Sequence, residues 1–458
     1  MTTNGYPLEI SKILVNKCAT AGCHTMASKE AAAGLALETW DQLFAGDRNG
    51  AVCIPYRHEY STIFLFTNTD PAKGAVNMPT MPYERPALSE QEMKTLTNWI
   101  DAGAPNSEGK IAFADNPSRK KFYVTNQGCD VVTVFDAATH LQMRYIDVGV
   151  SAQIESPHMI KVSPDGKYWY VVFSAASNVM QKYSTVDDAY LGAVTLGSGS
   201  WNTLVISNDG KSAVAVDWAA SGKVAYIDLQ NMNLLGGSPW SGFNDPHGST
   251  MNSKGDTIYI TSTTGNFIYK IPANDPGSFE EISIDPPQIP ISSSQFEPHE
   301  IMFAPDSLHY YISCPKSDEV RVMRTSDDGL ETIIPTGDYP LEMSFSKTQP
   351  YLFVTCEYDL TPPGTNRGSV TVIDYTTNTV VANLRANMSE PHGIAVDDAN
   401  GRVYVANRNI SGGTIPHHTS NCGGTNGFIS FISLNTLQVV SYQMIEVAAD
   451  PYSIAIRP

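Results

Sequence analysis

From Lys121 to the C-terminus the chain repeats itself every 42–60 residues, and this repeat limits the possible folds more than any other feature. Each unit opens on an apolar strand, turns through a Pro-Asp-Gly-type sequence and continues with further strands. The clearest turns are Ser163-Pro-Asp-Gly166, Ser207-Asn-Asp-Gly210 and Asn252-Ser-Lys-Gly255. Each lies between apolar runs and reads as a hairpin. Second strands follow at Tyr168-Trp-Tyr-Val-Val172, Ala213-Val-Ala-Val216, Tyr259-Ile-Thr261, Tyr310-Tyr-Ile312, Leu352-Phe-Val354 and Val403-Tyr-Val405. Third strands read as Val131-Val-Thr-Val-Phe135, Val224-Ala-Tyr-Ile-Asp228 and Val370-Thr-Val-Ile-Asp374. Four strands in a period near 45 residues predict a β-propeller.

The blades can be counted from the residues that precede each innermost strand. These are Pro157-His158, Trp201-Asn202, Pro246-His247, Pro298-His299, Pro340-Leu341, Pro391-His392 and Pro451-Tyr452, which makes seven. Residues 121–149 supply strands two to four of a blade without strand one. Pro451–Pro458 supplies a strand one with nothing after it. Joined, the two fragments close the ring and remove its free edges.

Each innermost strand begins beside the central channel. Four of the seven place a His there: His158, His247, His299 and His392. Imidazoles converging from several blades suit copper, iron or zinc, or contact with a second haem. The alternative is a recurring Pro-His element whose rings bond to neighbouring backbone. The other three blades carry Asn202, Leu341 and Tyr452, so the ring of histidines is incomplete. Long loops at 356–368, 408–427 (with His417, His418 and Cys422) and 276–297 are expected on the same face, where function usually collects. Equivalent or adjacent positions suggest disulfides Cys129–Cys422 and Cys314–Cys356, leaving Cys53 unpaired. Metal ligation by some of these thiols is the alternative.

Composition then excludes several classes. Apolar residues make up 42% and charged residues 17%, unlike a disordered chain. No apolar run reaches the ~18 residues of a membrane span. The 29 basic side chains face 47 acidic ones, a net charge of −18. Binding to nucleic acid is not expected, because nothing neutralises phosphate. An acidic body could steer a basic partner, although solubility accounts for the charge equally well.

The first hundred residues differ in kind. Cys18-Ala-Thr-Ala-Gly-Cys23-His24 supplies two thiols and a His directly after the second. Haem c attachment needs both, the thiols for thioether bonds and the imidazole for the iron. Four residues separate the thiols instead of the usual two. A disulfide beside a surface His is the plain alternative. Zinc lacks a second Cys/His pair at finger spacing. Leu8, Ile10, Ile13, Leu14 and Val15 read as a short helix delivering Cys18. Ser89-Glu-Gln-Glu92 is a capping box opening a helix that ends at Gly103. Before it, Asn77-Met-Pro-Thr-Met-Pro-Tyr83 forms an extended loop able to carry a thioether ligand.

These residues resemble the planctomycete-type cytochrome c domains of multidomain bacterial proteins. The resemblance runs over about residues 5–106: Lys17-Cys18 to Cys23-His24, Ala51-Val-Cys-Ile-Pro55 with Ser61, Met81-Pro82, Leu88-Ser89 and Trp99-Ile-Asp-Ala-Gly-Ala104. It implies one covalent haem c on Cys18 and Cys23, with His24 as proximal and Met81 as distal ligand. Met78 is the second candidate and His58 a rival. Tyr83 replaces the second Pro usual after the distal Met. Met1-Thr-Thr-Asn-Gly shows no basic or apolar leader. Haem c attachment therefore implies a periplasmic or extracellular protein whose leader has been removed, where disulfides are permitted.

Phe122-Tyr-Val-Thr-Asn126 and Val403-Tyr-Val-Ala-Asn407 resemble the YVTN-repeat propellers. The plan is similar to nitrite reductases that join a cytochrome c to an eight-bladed haem d₁ propeller. It is also similar to nitrous-oxide reductase, whose seven-bladed propeller holds copper on axial histidines; neither match is complete. The expected fold is mainly β: a small α-helical cytochrome c domain (1–106), a linker (107–119) and a seven-bladed β-propeller (120–458) closed by strand exchange between its ends. The expected function is extracytoplasmic electron transfer or oxidoreduction, with haem c passing electrons to a site or redox protein partner at the propeller face. The alternative is a docking propeller with the cytochrome wiring a complex.

Overall fold

The computed structural model describes residues 4–175, 177–360, 367–411 and 418–458, the side chains at 441 and 442 excepted. His417 lies outside the described residues, as do Met1-Thr-Thr and parts of the loops at 356–368 and 408–427. The chain is mainly β, and seven antiparallel sheets form the blades of a propeller. The innermost strands are Pro157–Val162, Trp201–Ile206, Pro246–Met251, Ile301–Phe303, Pro340–Phe345, Pro391–Asp397 and Pro451–Ile456. The last of these pairs with Lys121–Asn126, so the C-terminal strand is the inner strand of the sheet containing residues 121–147. We call this sheet the first blade and the one ending at Ala449 the seventh.

One blade departs from four strands. In the third, the outer strand is split into Asn233–Leu234 and Trp240–Phe243, both paired with Gly222–Asp228. Gly236 and Gly237 at φ 84° and 79°, followed by Pro239, break it. Two turns of positive φ and a missing N–H cannot continue a ladder.

The inner strands share a defect that positions the axis. In six blades the register slips just after the first residue pair, for example between Pro246 and Ser249, Pro340 and Met343, and Pro391 and Ile394. A bulge re-aims the side chain it carries. Here the bulged residue is the one after Pro or Trp. A hydroxyl from the blade before fixes the carbonyl at this position, including His299 of the fifth blade, whose strand pairing starts only at Ile301: Thr125 Oγ1 donates to His158 O (3.0 Å), Thr203 to His247 O (2.6 Å), Thr261 to His299 O (2.9 Å), Ser313 to Leu341 O (2.7 Å) and Thr355 to His392 O (2.7 Å). Gly248 and Gly393 complete the fit, because a Cβ at either would lie 2.3 Å from a carbonyl of the next blade.

Before the propeller, α1 (Leu8–Ile13), α2 (Trp40–Phe44), α3 (Thr62–Thr67) and α4 (Glu90–Asp101) surround an apolar cluster with Tyr6, Trp40, Leu43, Leu96 and Trp99. Ser89 and Glu92 cap α4 reciprocally, as the sequence predicts. This segment rests on the propeller's rim, against the outer strands Gln142–Asp147 and Gln438–Ala449. Tyr60 stacks on Tyr145 at 4.2 Å, Arg57 donates to Tyr145 O, and Ala51 N donates to Gln142 Oε1.

Cys129 and Cys422 form a disulfide. Cys314 and Cys356 do not; both are buried free thiols. Equivalent register on consecutive blades points both thiols the same way round the ring. Cys314 packs with Ile268 and Ile284 of the preceding blade, and Cys356 lies against Gly337 in the connection from its own preceding blade. Cys314 thus faces away from the blade that carries Cys356. Cys53 is free, as expected.

Candidate functional site

Where the helical segment meets the first and seventh blades there is a cavity of about 540 Å³. This is within the ~300–1,000 Å³ usual for cofactor sites. Cys18, Cys23, His24 and Met81 all line it, with Leu35, Ile63, Leu65 and Phe66 as apolar walls. Helix α1 buries Ile10 and Ile13 and runs into a π-helical turn, Leu14–Cys18, which delivers the first thiol to the wall. The four residues after it fold back at Gly22 (φ 82°), and His24 N donates to Cys18 O at 3.2 Å. The wider spacing thus still brings both thiols and the imidazole to one cavity. On another wall, Asn77 N donates to Leu65 O (2.9 Å) and Met81 N to Phe66 O (2.6 Å), tying the Met/Pro loop to α3.

Cys18 and Cys23 remain free thiols, so the disulfide alternative is not formed. Burial pushes the Cys18 thiol up to about 12, and the neighbouring Cys23 adds to this. Burial also holds His24 below the usual imidazole range. The nearby Leu35 carbonyl opposes that shift without completing a hydrogen bond to Nδ1, which is buried and unpartnered. Two free thiols, a neutral imidazole and a half-buried thioether in one apolar cavity fit a haem c. Met78 also lines the cavity but is 74% exposed. His58 does not line it; its Nδ1 is 2.7 Å from Asp101 Oδ1.

The cavity's far wall comes from the propeller: Gln142, Tyr145, His418 and Glu446. His418 was expected on a loop over the propeller face; instead it pairs with Glu446 and meets Phe66 edge-on at 5.4 Å. Burial lowers its affinity for a proton, but the hydrogen bond and charge of Glu446 outweigh this and raise it above 6.5.

The propeller axis is the second place. His158 and His247 have ring centroids 6.5 Å apart, His247 and His299 4.0 Å, and His299 and His392 6.1 Å. Tyr452 stacks on His392 at 3.6 Å and tilts against His158 at 4.0 Å. All four histidines are buried. Burial first, then neighbouring imidazoles for His158 and His299 and the Arg408 charge for His392, hold these three well below the usual range; burial takes His247 to about 4. His247 Nδ1 meets His299 O at 3.2 Å and His392 Nδ1 meets Tyr452 O at 3.3 Å. Backbone bonding thus accounts for one nitrogen on each of these two rings.

Sequence reasoning missed two acids beside them. Glu300 and Glu342 follow the axial positions of the fifth and sixth blades, and burial raises both carboxyls above the usual range. The signal was present: the residue after the axial position is acidic in consecutive units.

Among known families, the NHL repeat matches residues 388–409, which include Val403-Tyr-Val-Ala-Asn407. No curated protein matches the chain. A functionally unknown protein from Desulfotomaculum acetoxidans DSM 771 is similar in structure (TM-score 0.56, 14% identity, 73% of this chain and 98% of that one). Hydrazine synthase from Kuenenia stuttgartiensis is similar as well (TM-score 0.52, 15% identity, 67% of this chain and 91% of that one). At such identities the likeness establishes the propeller fold alone. Among the described residues no helix is long and apolar enough to cross a membrane.

Proposed function

We propose that the rim cavity holds one covalent haem c, on Cys18 and Cys23, with His24 and Met81 as axial ligands. On this reading the protein is an extracytoplasmic electron-transfer protein or oxidoreductase. The observation that carries it is that all four residues line one cavity. When bound, the haem would supply a one-electron redox centre. The chain's own residues do the rest. Leu35, Ile63, Leu65 and Phe66 exclude water, and burial keeps His24 neutral so that it offers a lone pair. The two bonds to α3 hold Met81 in place with little freedom to lose on ligation. His418 and Glu446 put a hydrogen-bonded charge pair on the propeller side of the cavity.

The cavity adjoins the rim, and none of its lining residues belongs to the axial histidine cluster. The redox partner is therefore proposed to dock at the rim rather than over the channel. The Cys129–Cys422 disulfide supports a periplasmic or extracellular location. Domain limits of 1–106 and 120–458 accompany the proposal.

The test is haem retention after denaturation of protein matured with a cytochrome c assembly system. Wild-type chain should keep one haem through acid-acetone extraction. Cys18→Ser plus Cys23→Ser should release all of it. A chain that matures without haem under these conditions would overturn the reading.

A further inference from the structure

We propose that the propeller axis holds a mononuclear divalent transition-metal site built from His299, His392 and Glu342. This set differs from the four-histidine ring expected from sequence, and it stands independently of the haem proposal. One ligand atom from each of the three residues lies within 4.8 Å of the others. A tetrahedral centre with bonds of ~2.1 Å separates its ligands by about 3.4 Å, so binding needs only a small closure of the set.

The unpartnered atoms support the geometry. Nε2 of His299 and Nε2 of His392 are both buried without a hydrogen-bond partner. Tyr452 O accepts from His392 Nδ1, which fixes the tautomer and leaves the Nε2 lone pair free. Such a carbonyl-anchored imidazole is the usual outer support of a metal-ligating His. The backbones carrying the ligands are fixed too. Thr355 Oγ1 lies 2.7 Å from His392 O and 3.1 Å from Glu342 N, joining two of the ligand-bearing strands. Thr261 Oγ1 holds His299 O at 2.9 Å.

Among the described residues, no group of three potential ligand atoms lying within 4.8 Å of one another includes His158 or His247. His247 lies ring against ring on His299 with Nδ1 on the His299 carbonyl, and His158 packs on Tyr452 with its Nδ1 buried and unpartnered. Charge points the same way: Glu300, with Oε2 buried and unpartnered, lies close to Glu342, and Lys161 is the cation facing them. Two carboxyl groups side by side, Glu300 buried and Glu342 half-buried, resist ionising together, and a dication between imidazoles and an acid favours the ionised form. Two imidazoles and one carboxylate suit zinc or iron(II) and leave coordination positions open for a small ligand.

The test uses the full chain, stripped with chelator and offered Zn²⁺, Fe²⁺ or Cu²⁺ separately. Metal is counted after gel filtration, with any haem iron measured on its own. One zinc per chain is expected, with an absorption-edge spectrum showing imidazole and oxygen ligands and no sulfur. Glu342→Gln and His392→Gln should each weaken zinc binding at least ~10-fold, whereas His158→Gln should leave it unchanged. If these variants do not fold, the wild-type edge spectrum decides. Uptake of none of the three metals would overturn the proposal. So would sulfur ligation, or equal loss of zinc in His158→Gln and Glu342→Gln.

Discussion

His418 shows how a single side chain joins the two parts of the molecule. It belongs to the propeller sequence but lines the rim cavity beside Glu446 and Phe66. Its folded-state proton affinity is raised above the ordinary 6.5, so its stabilising contribution is complete below that pH. It fades as pH rises through the raised value. Melting of the wild-type chain should therefore weaken, as pH rises above 6.5, by more than that of His418→Gln. Identical pH dependence in the two would rule out the pairing as a stabilising contact. Little of this was legible in sequence, because a loop histidine carries no mark of the wall it will meet. That Cys18, Cys23, His24 and Met81 line one cavity was legible, because they stand in short local motifs and the cavity is built mainly by the same hundred residues. The Cys314–Cys356 disulfide failed for the opposite reason: sequence equivalence was read as proximity, whereas equivalent positions on a ring point the same way.

Among the elements, the inner strands carry the most consequence. Their number could be read from the repeat, and so could the starting residues in six blades, whereas the fifth inner strand begins at Ile301 and not at Pro298-His299. The bulge after the starting residue could not be read, since one extra residue leaves no compositional trace. Yet the bulge aims the axial side chains, and the Thr of Phe122-Tyr-Val-Thr-Asn126 shows how it is held. Thr125 Oγ1 donates to His158 O at 3.0 Å and accepts from Ser453 N at 2.9 Å. One hydroxyl thus ties the first blade's second strand to its own inner strand and to the next blade. Thr125→Val keeps the shape and removes both bonds, orphaning a buried N–H. The expected cost is about 2 kcal/mol, read from urea unfolding. A loss below ~0.5 kcal/mol would mean that the bulge holds without the hydroxyl. The split outer strand of the third blade was equally hidden: Gly236-Gly237 reads as any turn until the ladder on both sides is seen.

At the scale of the molecule, the two ends of the propeller sequence meet in one sheet. Deleting Asp450–Pro458 removes the inner strand from Lys121–Asn126, along with Tyr452 from the axis and Ser453 from the Thr125 network. Two sheet edges are then exposed. The truncated chain should lose its cooperative melting transition or aggregate; an unchanged transition would show that the strand is dispensable. The larger consequence is spatial. The cavity proposed for haem adjoins the rim, on the outer strands of the first and seventh blades, and the acid-and-imidazole cluster occupies the axis. The sequence could place both sets of residues in their segments. It could not say that the helical segment sits on the rim, because that contact is made by Tyr60, Arg57 and Ala51 with a strand whose outer face looks like any solvated one.

The central claim is that Met81 and His24 share one iron across that cavity, and it is tested most directly by the optical spectrum of the oxidised protein. Wild type and Met78→Ala should both show the weak far-red sulfur-to-iron charge-transfer band, and Met81→Ala should lose it while keeping its covalent haem. A band that persists in Met81→Ala and vanishes in Met78→Ala would contradict the account.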